Sequence, residues 1–162
     1  MREEAQAEHA WLDNLVGTWT MKSEMVMGPD EPPHTSEGTE VVRKLGDLWV
    51  VGEMETTSET MADCQGKTIL TLGYDPKQKA FVGTFIASIM TYLWIYERGS
   101  LDDAGKVLTL NANGPSFVSE GTVAYQDIIE IVDADHRILR SQVIDDNEVW
   151  HPFMTAHYYR QK

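Results

Sequence analysis

Hydrophobic and polar positions alternate along most of this chain, after one opening stretch with a longer period. Trp11, Leu12 and Leu15 fall at helical spacing, with Glu3, Glu4 and Glu8 upstream, where a helix dipole favours anions. Gly17 ends that run, so the spacing predicts one short helix over residues 3–15. The period then becomes two. Trp19, Met21, Ser23, Met25 and Met27 share one face of a strand, and Thr18, Thr20, Lys22, Glu24 and Val26 share the other. Gly28-Pro29-Asp30-Glu31-Pro32-Pro33 breaks the pattern.

Strand-like segments and tight turns follow to the end of the chain. The pattern predicts strands over Thr35–Leu45, Leu48–Ser58, Lys67–Tyr74, Ala80–Ile86, Thr91–Gly99, Lys106–Asn113, Ser119–Val132, Arg137–Ile144 and Glu148–Arg160, with a polar loop over residues 59–66. Gly46-Asp47, Asp75-Pro76-Lys77-Gln78, Asp102-Asp103-Ala104-Gly105, Asp133-Ala134-Asp135-His136 and Asp145-Asp146-Asn147 supply the turns. No helix separates the later strands, which argues against a parallel α/β sheet. Short connections favour an up-and-down antiparallel meander, and about ten strands would leave exposed edges unless the sheet closes. The expected fold is an all-β, closed antiparallel barrel in a single domain, with one N-terminal helix.

Gly17-Thr18-Trp19, at the start of the first strand and behind a short helix, resembles the Gly-x-Trp signature that opens lipocalin and other calycin barrels. The resemblance implies that Trp19 packs at the closed end beneath a terminal arginine, for which Arg160 is the candidate. A longer resemblance is to the bacterial domain-of-unknown-function family 1579. It rests on Glu8-His9-Ala10-Trp11-Leu12, Gly17-Thr18-Trp19, Leu72-Gly73-Tyr74-Asp75-Pro76, Gly99-Ser100-Leu101-Asp102, Gly105-Lys106-Val107-Leu108-Thr109-Leu110 and Tyr158-Tyr159-Arg160. It implies a lipocalin-like barrel and no particular reaction. Where that family tends to carry Trp-x-Asp after the Gly-Thr of the fifth strand, this chain has Phe85-Ile86-Ala87 after Gly83-Thr84.

Charge narrows the partners. With 26 acidic and 13 basic residues among 162, the net charge is −13. That disfavours a hold on nucleic acid, which needs Lys and Arg on phosphates, and docking on anionic lipid. The one cysteine, Cys64, has no intrachain partner and an acidic neighbour, so it reads as a passive loop thiol. The acidic N-terminus lacks a signal-peptide core, no segment is apolar enough to span a membrane as a helix, and a cytoplasmic location is expected.

Candidate chemistry lies in the barrel interior. Alternation offers Trp19, Met21 and Met25, then Phe85, then Tyr92, Trp94 and Tyr96, then Tyr125 and Asp127, then Met154 and Tyr158 as a lining. Arg43 and Glu53, on adjacent strands, would join it if both point inward; a one-residue change of register would put them on the surface. Asp127 interrupts an otherwise apolar strand and is the carboxylate to inspect first for burial. His151 or His157 could ligate haem if aimed inward, but the face carrying Met154, Ala156, Tyr158 and Arg160 is the more apolar one, which points both histidines outward. No zinc spacing or EF-hand loop occurs, and neither a metal nor a cofactor is expected. The expected role is binding of a small, mainly apolar molecule in the barrel. An enzyme using the same cavity, and a filled-core protein that forms a homodimer through an apolar face, stay open as alternatives.

Overall fold

The computed structural model describes residues 1–162 except 27, 29 and 59–65. The Met27 and Cys64 readings therefore lie outside the described residues. Helix α1 is shorter than the spacing suggests. It covers Ala7–Trp11 and continues as a 3-10 turn over Leu12–Leu15, while residues 1–6 precede it without helical structure. The Gln6 side chain and the His9 ring cap one another's backbone at its start. Ten strands follow: β1 Gly17–Met25, β2 His34–Leu45, β3 Trp49–Ser58, β4 Gly66–Asp75, β5 Ala80–Ala87, β6 Trp94–Leu101, β7 Val107–Pro115, β8 Thr122–Asp133, β9 His136–Ile144 and β10 Trp150–Arg160.

Each strand pairs antiparallel with its sequence neighbours, and β1 pairs with both β2 and β10, which closes the barrel. Among the described residues closure leaves no strand with an unpaired edge. The sequence placed a strand from Thr91, but β6 begins at Trp94, because residues 91–93 belong to the connection from β5. A register shift in the β9–β10 pairing between Pro152 and Met154 is the irregularity expected where proline cannot donate to the ladder.

The helix closes one end. Leu12 and Leu15 are fully buried in the core with Trp19, Val50, Leu72, Phe81 and Leu108. His9 fixes the helix by accepting the Gln6 N–H at Nδ1 and donating from Nε2 to the Tyr74 carbonyl, 3.0 Å away, which assigns the proton to Nε2. Trp11 donates from its indole to the Gly105 carbonyl at 2.7 Å. The Trp19 indole in turn donates to the Leu15 carbonyl at 2.9 Å. The Arg160 guanidinium lies 4.2 Å over the Trp19 ring and donates to the carbonyls of Val16 and Ala134. Gly17 is required beside this arginine. Its φ is +138°, and a Cβ there would sit 2.3 Å from Arg160 Nη1.

Candidate functional site

Inward-facing side chains differ sharply between the two ends of the barrel. Near the helix most are sealed, although Tyr74, Leu101 and Ile131 there keep some exposure. Toward the opposite end, Met54, Leu70, Phe85, Trp94 and Met154 also pack against the core, yet each, like Met25, stays partly open to solvent. Ser23 and Ser36 face inward at this end and share a 2.5 Å hydrogen bond. Thr56 and Thr68 lie on the same inner parity as Met54 and Leu70. An aromatic group stands over that end: Trp94 packs edge-on against both Tyr92 and Tyr125, and Phe117 and Phe153 pack against Tyr125. Tyr125 donates from its hydroxyl to the Pro115 carbonyl.

A polar belt crosses the barrel between the sealed and accessible halves. On one side, Arg137 from β9 donates from Nη2 to Glu40 of β2, and both side chains are buried. Gly52 on β3 leaves room for this carboxylate, since a Cβ there would meet Glu40 Oε2 at 3.0 Å. The Arg137 guanidinium also lies 3.9 Å over the Tyr158 ring and 4.8 Å over that of Trp19. On the other side, Asp127 of β8 accepts hydrogen bonds from the Tyr96 hydroxyl and, at 2.5 Å, from the Ser141 hydroxyl. Burial raises the Asp127 carboxyl above its ordinary range, and the two donated hydrogen bonds oppose that only in part. Burial, and then the neighbouring Asp127 charge, push the Tyr96 phenol well up. Tyr158 is raised too, first by burial and then by the Glu40 charge. Glu40 and Asp127 thus both act on Tyr158, and burial opposes ionisation of the Asp127 carboxyl and of both phenols.

Several sequence candidates are placed in this interior. Trp19, Met21, Tyr96, Tyr125 and Tyr158 are buried, Met25, Phe85, Trp94 and Met154 are half-buried, and Asp127 is the inward carboxylate. Arg43 and Glu53 leave the candidate lining and take the surface alternative. Both stand on the outer face, joined by a 4.0 Å ion pair with more than half of each side chain exposed. The β2–β3 register fixes their parity: Val41 pairs with Glu53, and Arg43 with Val51, while Glu40 and Val42 take the inward positions. Tyr92 is corrected as a strand residue, because it precedes β6 and donates to the Asn113 carbonyl. His157 points outward and pairs with His136 at 3.0 Å, and exposed His151 pairs with Asp145 at 2.6 Å, so neither faces a haem in the barrel. Among the described residues no three side chains form a metal-binding group.

Sequence reasoning missed Glu40, Arg137 and Ser141. Polar residues occur on both parities of β2 and β9, so alternation alone did not distinguish the inner face there. Two depressions on the outside, of about 530 Å³ beside Arg2 and Trp49 and about 360 Å³ over Val41, Glu53 and Ile69, lie away from the belt.

A family model described as a protein of unknown function (DUF1579) matches residues 4–160. No curated protein matches the chain. The crystal structure of Rv2717c from M. tuberculosis superimposes with a TM-score of 0.67 at 14% identity, covering 98% of this chain and 100% of that one. The S-type phycobiliprotein lyase CPES from Guillardia theta superimposes with a TM-score of 0.60 at 13% identity, covering 98% and 99%. At such identities the likeness establishes the barrel fold. Among the described residues no helix is long and apolar enough to cross a membrane.

Proposed function

We propose that this chain, which belongs to the DUF1579 family, binds a small, mainly apolar molecule in its barrel, entering at the end rimmed by Trp94, Tyr125 and Phe117. The observation that carries this reading is the contrast in burial along one continuous interior. Leu12, Trp19, Leu72 and Leu108 are at most 1% exposed, whereas Met25, Met54, Leu70, Phe85 and Met154 face inward and still meet solvent. Flexible methionines and rigid aromatics suit an apolar guest of variable shape. The likeness to a phycobiliprotein lyase concerns the fold, so the ligand reading rests on this chain's own interior.

Titration with the neutral dye Nile red tests it. Wild-type protein should bind the dye saturably with a blue-shifted emission. Thr68→Trp, which adds bulk on the accessible inner wall, should weaken binding about tenfold or more while the melting temperature holds. A wild-type protein that gives no saturable dye signal would overturn the reading.

A further inference from the structure

Among the described residues two donors in the belt, the Tyr158 hydroxyl and the Arg137 Nε–H, have no oxygen acceptor. Among the described residues the Tyr158 hydroxyl has one polar contact, the Met54 sulfur at 3.9 Å, and a thioether is a weak acceptor. The Arg137 Nε–H, on the guanidinium stacked against the same tyrosine ring, has no partner. Both side chains are 3% exposed, in a setting where an unmade hydrogen bond is costly. The hydroxyl reaches from β10 across to β3, and Met54 belongs to the partly accessible half.

Charge decides what kind of acceptor would fit. Arg137 is neutralised by Glu40, and Asp127 is held by two hydroxyl donors with no cation among its described partners. Among the described residues of the belt no cation is left to receive an anion, and a buried carboxylate guest beside the Asp127 carboxyl would have no counter-charge. An uncharged carbonyl oxygen has two lone pairs and no such penalty.

We propose that the belt recognises a neutral carbonyl, of a ketone, ester or amide, at the buried end of an apolar ligand, with the Tyr158 hydroxyl and the Arg137 Nε–H as donors. This rests on the barrel-binding reading above. The test is displacement of Nile red by three probes of equal chain length: 2-undecanone, undecane and undecanoate. Tyr158→Phe should weaken 2-undecanone about tenfold relative to undecane, the scale of one buried hydrogen bond, with each displacement scaled to the dye affinity of that variant because Nile red carries a carbonyl of its own. Met54→Leu, which removes the sulfur but keeps the hydroxyl, should retain the preference for 2-undecanone over undecane even where it changes the overall affinity. The infrared carbonyl stretch of bound 2-undecanone should shift to lower frequency in the wild type and relax in Tyr158→Phe. Dye binding with an unchanged ketone affinity in Tyr158→Phe, or undecanoate binding tighter than 2-undecanone, overturns the carbonyl assignment alone. Failure of the wild type to bind even the dye overturns the barrel reading and this one with it.

Discussion

Two of the Arg–Glu pairs on the walls of this barrel differ in almost everything except chemistry. Arg137 and Glu40 meet inside, with side chains 3% and 4% exposed. Arg43 and Glu53 meet outside, with side chains 56% and 61% exposed. Glu40 and Arg43 are three residues apart on one strand, an odd step, so the pleat sends them to opposite faces. The inner pair loses hydration and gains a strong contact, stacked rings and the space over Gly52. The outer pair keeps its water and gains little. Position in the pleat decides whether the same two side chains form a structural strut or a surface contact.

The sharpest way to break the contrast is Glu40→Ala. It strands the Arg137 guanidinium in an apolar interior and should cost about 3–5 kcal/mol, read by urea denaturation. Replacing both partners, Glu40→Leu with Arg137→Met, should recover most of that loss, because a buried pair is costly to break and cheap to replace. If the double variant is as unstable as the single one, the strut provides more than charge neutralisation.

Next in size is Arg160→Ala. This side chain is only part-buried, so it stands between the two pairs. Its loss removes the guanidinium over Trp19 and the donors to the Val16 and Ala134 carbonyls. About 2 kcal/mol is expected by the same denaturation, from one cation–π contact and the hydrogen bonds. The effect should centre on the closed end, with Nile red binding at the other end retained.

The two pairs also mark where the sequence could be read and where it could not. In β1, Trp19, Met21 and Met25 occupy one parity and Thr18, Thr20, Lys22 and Glu24 the other, so the inner face is legible by inspection. The ten strands and the closed barrel follow from many such segments and the turns between them. In β2, Glu40 and Val42 alternate with Val41 and Arg43, so each face carries one apolar and one charged residue. Nothing local distinguishes the faces, and the choice is made by Arg137, 97 residues away. Arg137 is hidden in the same way, since β9 carries an arginine on each parity, Arg137 inside and Arg140 outside. Asp127 was visible because its neighbours are apolar, but its donors Tyr96 and Ser141 lie 31 and 14 residues away. The early helix boundary failed for a different reason. Glu3 and Glu4 suit a helix start, but the reciprocal cap between Gln6 and His9 sets the first turn later.

Asp127 offers a change of slope with pH. Its folded pKa is raised, so the folded state binds the proton more tightly than the unfolded chain does. Its contribution to stability is greatest below the ordinary carboxylate range and is lost as pH rises through the raised value. Asp127→Asn keeps the shape of the neutral carboxyl and removes the titration. The variant should match the wild type in acid and become relatively more stable as pH rises. Denaturation of both proteins across that range checks it, and a wild type that gains on the variant with rising pH would reverse the sign.

The smallest effect is the most useful control. Arg43→Ala removes one end of a 4.0 Å pair whose partners are both mostly in water. Hydration already satisfies each charge, and ordering two long side chains offsets the attraction, so the expected loss is about 0–1 kcal/mol and shrinks further with added salt. Glu53 keeps its solvent when Arg43 goes, whereas Arg137 has none when Glu40 goes. The same denaturation series therefore tests the register of β2 against β3 directly. A slip of β2 by one residue would bring Arg43 inside and carry Glu40 out, and the two alanine variants would exchange their costs.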